Sequence, residues 1–76
     1  MEIPLGQKIR VLRIQRGMTQ RELAWHLNVS TQAVSKWERN ACYPDVTLLL
    51  PLARLFSVSL DELFGRDEEE RALPKT

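Results

Sequence analysis

The stretch that most constrains the fold of this chain runs from Thr19 to Asn40 and reads TQRELAWHLNVSTQAVSKWERN. Its first half predicts a helix beginning at Thr19, because Thr19 followed three residues later by Glu22 is a capping box that satisfies two backbone amides. Asn28 tolerates a left-handed conformation and marks the end of this helix. Apolar residues at helical spacing give it one buried stripe: Leu23, Ala24 and Leu27.

A second short helix follows after a three-residue turn. Ser30 or Thr31 can cap it, and Val34 and Trp37, three residues apart, should face the core. Its opposite face is polar and carries no carboxylate: Thr31, Gln32, Ser35, Lys36 and Arg39. A helix laid along DNA needs such a face.

Size and composition exclude several classes of protein. Seventy-six residues make one domain, near the lower limit for folding on a single core. One cysteine, Cys42, and one histidine, His26, are too few for a zinc site, so we expect neither a disulfide nor a cofactor. The sequence shows no membrane span and no signal peptide, and we expect a cytoplasmic protein.

The net charge of +1 hides an asymmetry along the chain. Residues 1–40 contain seven Lys or Arg and three acids, whereas residues 41–76 contain four and seven. Such a distribution can orient a protein on a polyanion with its first half toward the phosphates.

The flanking sequence predicts three further helices. Leu5, Ile9 and Leu12 recur at helical spacing, so we predict a first helix over residues 5–16 that ends at Gly17. A fourth helix is expected over residues 46–57, with Leu49, Leu52, Ala53 and Phe56 facing inward.

Pro51 complicates the fourth helix. It lacks a backbone donor, so the helix should either bend there or begin properly only around residues 48–50. Ser59 can cap a short fifth helix over residues 60–64, closed by Gly65. We predict a domain over residues 1–65 and a charged, flexible tail over residues 66–76.

Four motifs carry a resemblance to a known family: TQ-x-ELA at 19–24, VS-x-QAVSKWE at 29–38, YPD at 43–45 and VSLDELF at 58–64. In this order and spacing the chain resembles the phage repressor and Cro (XRE-like) helix-turn-helix family from about Leu5 to Phe64. The resemblance implies an all-α, compact, five-helix lambda-repressor-like fold with a central helix-turn-helix. It also implies a DNA-binding transcription regulator with double-stranded DNA as its partner.

The resemblance places the second helix of the motif in the major groove with its amino-terminal end leading. Gln32 is the best candidate for reading a base, because its amide matches the N6 and N7 pattern of adenine. The other base-reading candidates are Thr31, Lys36 and Ser35. Candidates for contacts to the DNA backbone or the edge of the site are Gln20, Thr19, Arg21, Arg39, Asn40 and Tyr43.

Other residues have structural or assembly roles in such a family. The resemblance pairs Arg13 with Glu38, which would fasten the first helix to the recognition helix. It also suggests dimer contacts after the fourth helix, with the candidates Leu60, Leu63 and Phe64, although one or more of the leucines could belong to the monomer core. Trp25 lies off the apolar stripe and is either a plain surface residue or a contact for another protein.

We weigh three functions. A sequence-specific regulator is preferred, acting as a repressor and homodimer on a palindromic operator, because one short helix reads only a few base pairs. A protein-interaction module on the same fold, such as an antitoxin or coactivator, is the alternative and depends on Trp25. An enzyme is rejected, since the sequence offers no nucleophile with a nearby base.

Overall fold

The computed structural model describes residues 4–64 of the chain. They form α1 (Leu5–Gln15), α2 (Gln20–Leu27), α3 (Thr31–Glu38), α4 (Val46–Phe56) and α5 (Leu60–Leu63), and no strand occurs among them. The all-α, five-helix architecture predicted from the sequence is confirmed. The predicted tail at 66–76 and Gly65 lie outside the described residues.

The turn chemistry of the central motif is as predicted. Thr19 Oγ1 accepts from the Glu22 amide at 3.0 Å, and Glu22 Oε1 accepts from the Thr19 amide at 2.9 Å, which completes the capping box. Asn28 ends α2 in the left-handed conformation with φ 58°. Local sequence alone therefore fixes both ends of α2.

The capping of α3 settles an alternative left open by the sequence. Ser30, and not Thr31, is the cap, because its Oγ accepts from the Ala33 amide at 3.1 Å. Thr31 is thus the first helical residue and its side chain is exposed. The helix ends at Glu38, and Asn40 takes a left-handed conformation with φ 60°.

The core is built from one face of every helix. Packing joins α2 to α3 and α4, α1 to α3 and α5, and α4 to α5. Trp37 is 4% exposed, which confirms it as a core residue. The buried apolar side chains are Leu5, Ile9, Leu12, Leu23, Ala24, Leu27, Val34, Trp37, Leu52, Ala53, Phe56 and Leu63.

Helix α4 runs unbroken from Val46 to Phe56, so the expectation of a late start near residues 48–50 was wrong. Asp45 caps the first turn, since its Oδ1 accepts from the Thr47 amide at 2.9 Å. Pro51 is exposed, so the bond that its missing N–H would make to the Thr47 carbonyl lies on the solvent side of the helix. Leu49, expected inside, is only half-buried.

No helix within residues 4–64 is long and apolar enough to cross a membrane.

Candidate nucleic-acid interface

The outward face of α3 presents the predicted base-reading residues together. Thr31, Gln32 and Lys36 are exposed and Ser35 is half-buried. Gln32 is the second residue of the helix and Lys36 follows one turn later, so both side chains project from the same face. This face can offer amide, hydroxyl and ammonium groups to a ligand, and it carries no acid.

The one acid of α3, Glu38, is withdrawn from that face by an ion pair with α1. Arg13 Nε donates to Glu38 Oε2 at 2.7 Å and Arg13 Nη2 donates to Oε1 at 3.0 Å, with the two side chains 12% and 4% exposed. Arg13 Nη1 also donates to the Met18 carbonyl at 2.7 Å. The Arg13 guanidinium therefore makes a bidentate pair with Glu38 of α3 and a third bond to Met18 in the turn after α1.

Gln20 joins the same network from α2. Its Nε2 donates to Glu38 Oε1 at 3.0 Å, and the side chain is half-buried. An amide group has two N–H donors, and the bond to Glu38 uses one of them. The role of Gln20 at the edge of a DNA site stays a prediction, and its bond to Glu38 was not predicted.

The remaining edge candidates surround α3 differently. Arg39 Nε donates to the Ser35 carbonyl at 3.3 Å, so the guanidinium stem lies back along the recognition helix. Tyr43 is 78% exposed in the loop that leads to α4. Thr19, Arg21 and Asn40 are exposed as well.

Two exposed carboxylates at helix starts have lowered pKa values. The Thr19 backbone amide and then the Thr19 hydroxyl lower the pKa of Glu22 from its ordinary 4.5. The Thr47 backbone amide, followed by the Thr47 hydroxyl, lowers the pKa of Asp45 from 3.8. Both carboxylates are thus held in the charged form at helix starts, and their negative charge interacts favourably with the positive amino-terminal ends of the α2 and α4 dipoles.

One residue has a role that the sequence did not reveal. Arg16 donates through Nη2 to the Phe56 carbonyl at the end of α4. Arg16 and Phe56 are 40 positions apart in the chain, and no local sequence pattern predicts that a side chain caps a distant helix.

The three candidate dimer residues differ in their exposure. Leu63 is fully buried at 0% exposure, so it belongs to the monomer core and is not available to a partner. Leu60 is 42% exposed and Phe64 is half-buried, and both stay candidates. Trp25 is 77% exposed and meets the His26 ring edge-on, with centroids 5.1 Å apart.

Within residues 4–64 no three His, Cys, Asp or Glu side chains come together as a metal site. Cys42 is a free, exposed thiol.

Comparison with known proteins gives three concordant findings. A family model described as helix-turn-helix (HTH_3) matches residues 9–63. The HTH-type transcriptional regulator ImmR of Bacillus subtilis is 41% identical over 64 residues, which cover 84% of this chain and 50% of ImmR. The P22 c2 repressor, solved in complex with a synthetic operator, superposes with a TM-score of 0.78 and 32% identity over 86% of this chain and 98% of that one.

A further relative is the HTH-type transcriptional activator BcrR of Enterococcus faecalis, 40% identical over 63 residues. The match covers 83% of this chain but 31% of BcrR. The chain therefore spans half or less of the length of these two relatives.

Proposed function

Since the chain belongs to the helix-turn-helix family HTH_3, we propose that it is a sequence-specific DNA-binding transcription regulator that reads DNA with α3. The observation that carries this proposal is the outward face of α3, which is exposed, polar and free of carboxylates. Glu38, the one acid on the helix, is turned into an ion pair with Arg13 and does not face a ligand. The proposed activity is binding alone and requires no reaction chemistry.

In the proposed complex α3 enters the major groove with its amino-terminal end leading. Gln32 reads adenine through N6 and N7, while Thr31, Ser35 and Lys36 contact neighbouring base edges or phosphates. Gln20, Thr19, Arg21, Arg39, Asn40 and Tyr43 border the DNA backbone. The P22 c2 repressor, whose fold is similar, was solved with an operator, which supports this placement.

The protein would act as a homodimeric repressor on a palindromic operator. One α3 covers only a few base pairs, and two copies about one helical turn apart, roughly 34 Å, read enough sequence to be selective. Leu60 and Phe64, both at least partly accessible beyond α4, are the candidate dimer contacts. We place this activity in the cytoplasm, because the two regulators compared come from bacteria, whose chromosome lies there.

Selection of bound duplexes from a random-sequence pool tests the proposal. The salt concentration should be near-physiological, about 0.15 M, because weak electrostatic binding imitates recognition at low salt. We expect a palindrome with two half-sites to be enriched. A folded protein that enriches no sequence would exclude the proposal and favour the protein-interaction alternative, for which exposed Trp25 is then the first residue to substitute.

A further inference from the structure

Gly6 lies in the first turn of α1, where this helix packs against the end of the recognition helix. A Cβ atom at this position would lie 1.8 Å from the Trp37 carbonyl oxygen, 2.6 Å from Asn40 Oδ1 and 2.9 Å from the Trp37 carbonyl carbon. These distances are all shorter than a van der Waals contact. Position 6 therefore admits no side chain while α1 and α3 keep their present separation.

The backbone conformation at Gly6 is not the reason for glycine, because the residue is an ordinary part of α1. By helix propensity alone, alanine would be the better residue there. Asn40 Oδ1 belongs to a side chain that could rotate away, but the nearest obstacle could not. The Trp37 carbonyl belongs to the main chain of α3 and accepts from the Asn40 amide at 3.0 Å.

A second connection between the same two helices lies seven residues further along α1. Arg13 pairs with Glu38 there, and a spacing of seven places Gly6 and Arg13 on the same face of the helix. Ile9, between them, is fully buried. The two connections hold the carboxyl-terminal end of α3, at Trp37 and Glu38, against two points on one face of α1.

We propose that Gly6 is a positioning residue for DNA recognition, whose missing side chain sets the direction in which α3 presents Thr31 and Gln32. This inference rests on the proposed DNA-binding function. To admit a Cβ, the Trp37 end of α3 must move by about 1 Å or more, while a binding constellation works only when held within about 0.5 Å. The base-reading end lies only about 10 Å away along the same short helix, so it moves as well.

The test compares Gly6→Ala with Gly17→Ala. Gly17 is a matched control, because a Cβ there meets nothing within 4 Å and the substitution acts only through its φ of 68°. Affinity for the selected operator and for unrelated DNA is measured at a temperature where each variant is fully folded. We expect Gly6→Ala to lose roughly tenfold or more in operator affinity, comparable with one good base contact, and to discriminate less. Gly17→Ala should bind like the parent protein.

Amide spectra without DNA give a second readout. We expect Gly6→Ala to shift resonances along all of α3, including Thr31 and Gln32, whereas Gly17→Ala shifts only its own neighbourhood. If the parent protein binds no DNA but these α3 shifts occur, the proposed function fails while the geometric relation between Gly6 and α3 stands. If the parent protein binds and folded Gly6→Ala binds equally well, the inference is overturned and the proposed function is not.

Gly6→Ala can also be made together with Ser57→Gly, which relieves a left-handed serine in a different part of the fold. If this double variant stays unfolded even with a stabilising osmolyte, the steric clash at position 6 destabilises the whole domain and does not simply reorient α3. That result would also overturn the inference.

Discussion

Gln20 of α2 and Glu38 of α3 are joined by a hydrogen bond of 3.0 Å from the amide nitrogen to Oε1. The same carboxylate receives two bonds from Arg13 of α1, so Glu38 is the point at which three helices meet. The Glu38 side chain, only 4% exposed, is therefore neutralised by Arg13, and it orients both the Gln20 side chain and α3.

Glu38→Ala should lower the free energy of unfolding by about 3 kcal/mol, because it leaves the Arg13 guanidinium without its partner in a largely buried site. Urea denaturation checks this value. The double variant Arg13→Met with Glu38→Leu should be destabilised by less than the sum of the destabilisations of Arg13→Met alone and Glu38→Leu alone. Arg10→Ala on the exposed side of α1 is the control and should change stability by less than about 0.5 kcal/mol. Strict additivity would mean that the pair is not coupled.

Gln32→Ala should relax the preference at one base position by about 1 to 3 kcal/mol, since it removes one bidentate contact to adenine. Competition binding with operators substituted one base pair at a time measures this effect. Because Gln32 is exposed, the free energy of unfolding should stay within about 0.5 kcal/mol of the parent value. An unchanged base preference would show that Gln32 does not read a base.

Lys36→Ala should weaken binding to all sequences alike and reduce the slope of log affinity against log salt by about 1, if its ammonium group contacts a phosphate. Titrations at several salt concentrations measure the slope. Arg54→Ala, at an exposed cation of α4, is the control and should leave it unchanged. A loss confined to one base position would instead assign Lys36 to guanine.

Features that depend on neighbouring residues were predictable from the sequence, and features that depend on tertiary approach were not. The Thr19–Glu22 capping box and the left-handed Asn28 are local, so residue type and spacing suffice to locate them. The pairing of Arg13 with Glu38 spans 25 positions and came from resemblance to a family. No local sequence pattern predicted the hydrogen bond from Arg16 to the Phe56 carbonyl or the close approach of Gly6 to Trp37.

Short elements also limited the prediction. Helix α5 has four residues, too few for a period to show which leucine faces inward, and the structure buries Leu63 while leaving Leu60 exposed. At Pro51 the residue type alone reveals the missing donor but not the side of the helix on which it lies, and an exposed position lets α4 continue.

Ser57→Gly should raise the free energy of unfolding by about 0.5 to 1 kcal/mol. Ser57 caps α4 with φ 57°, a conformation that strains a residue with a Cβ, and the gain exceeds the extra flexibility of glycine in the unfolded chain. Gly17→Ala, at φ 68°, tests the same physics in reverse and should destabilise by about 1 kcal/mol. Urea denaturation of both variants measures the effects, and equal stability of Ser57→Gly and the parent would show that the strain at Ser57 does not exceed the entropic cost of glycine.

Asp45 should make stability depend on pH below neutrality. Its pKa in the folded protein is lowered below 3.8, chiefly by the Thr47 backbone amide, so the unfolded chain binds the proton more tightly. The stabilisation by the Asp45 carboxylate is therefore complete above the pKa that Asp45 has in the unfolded chain. It is lost from about pH 5 downward, as the pH falls through the lower pKa that Asp45 has in the folded protein.

Asp45→Asn keeps a capping side chain but removes the charge, so its deficit in melting temperature relative to the parent should be largest at pH 7 and shrink toward pH 3. Thermal melts across this range measure it. Thr47→Val removes the hydroxyl donor and keeps the backbone amide, so it should retain part of the acid dependence. Parallel melting curves for Asp45→Asn and the parent at every pH would show that the carboxylate at this cap contributes nothing through its charge.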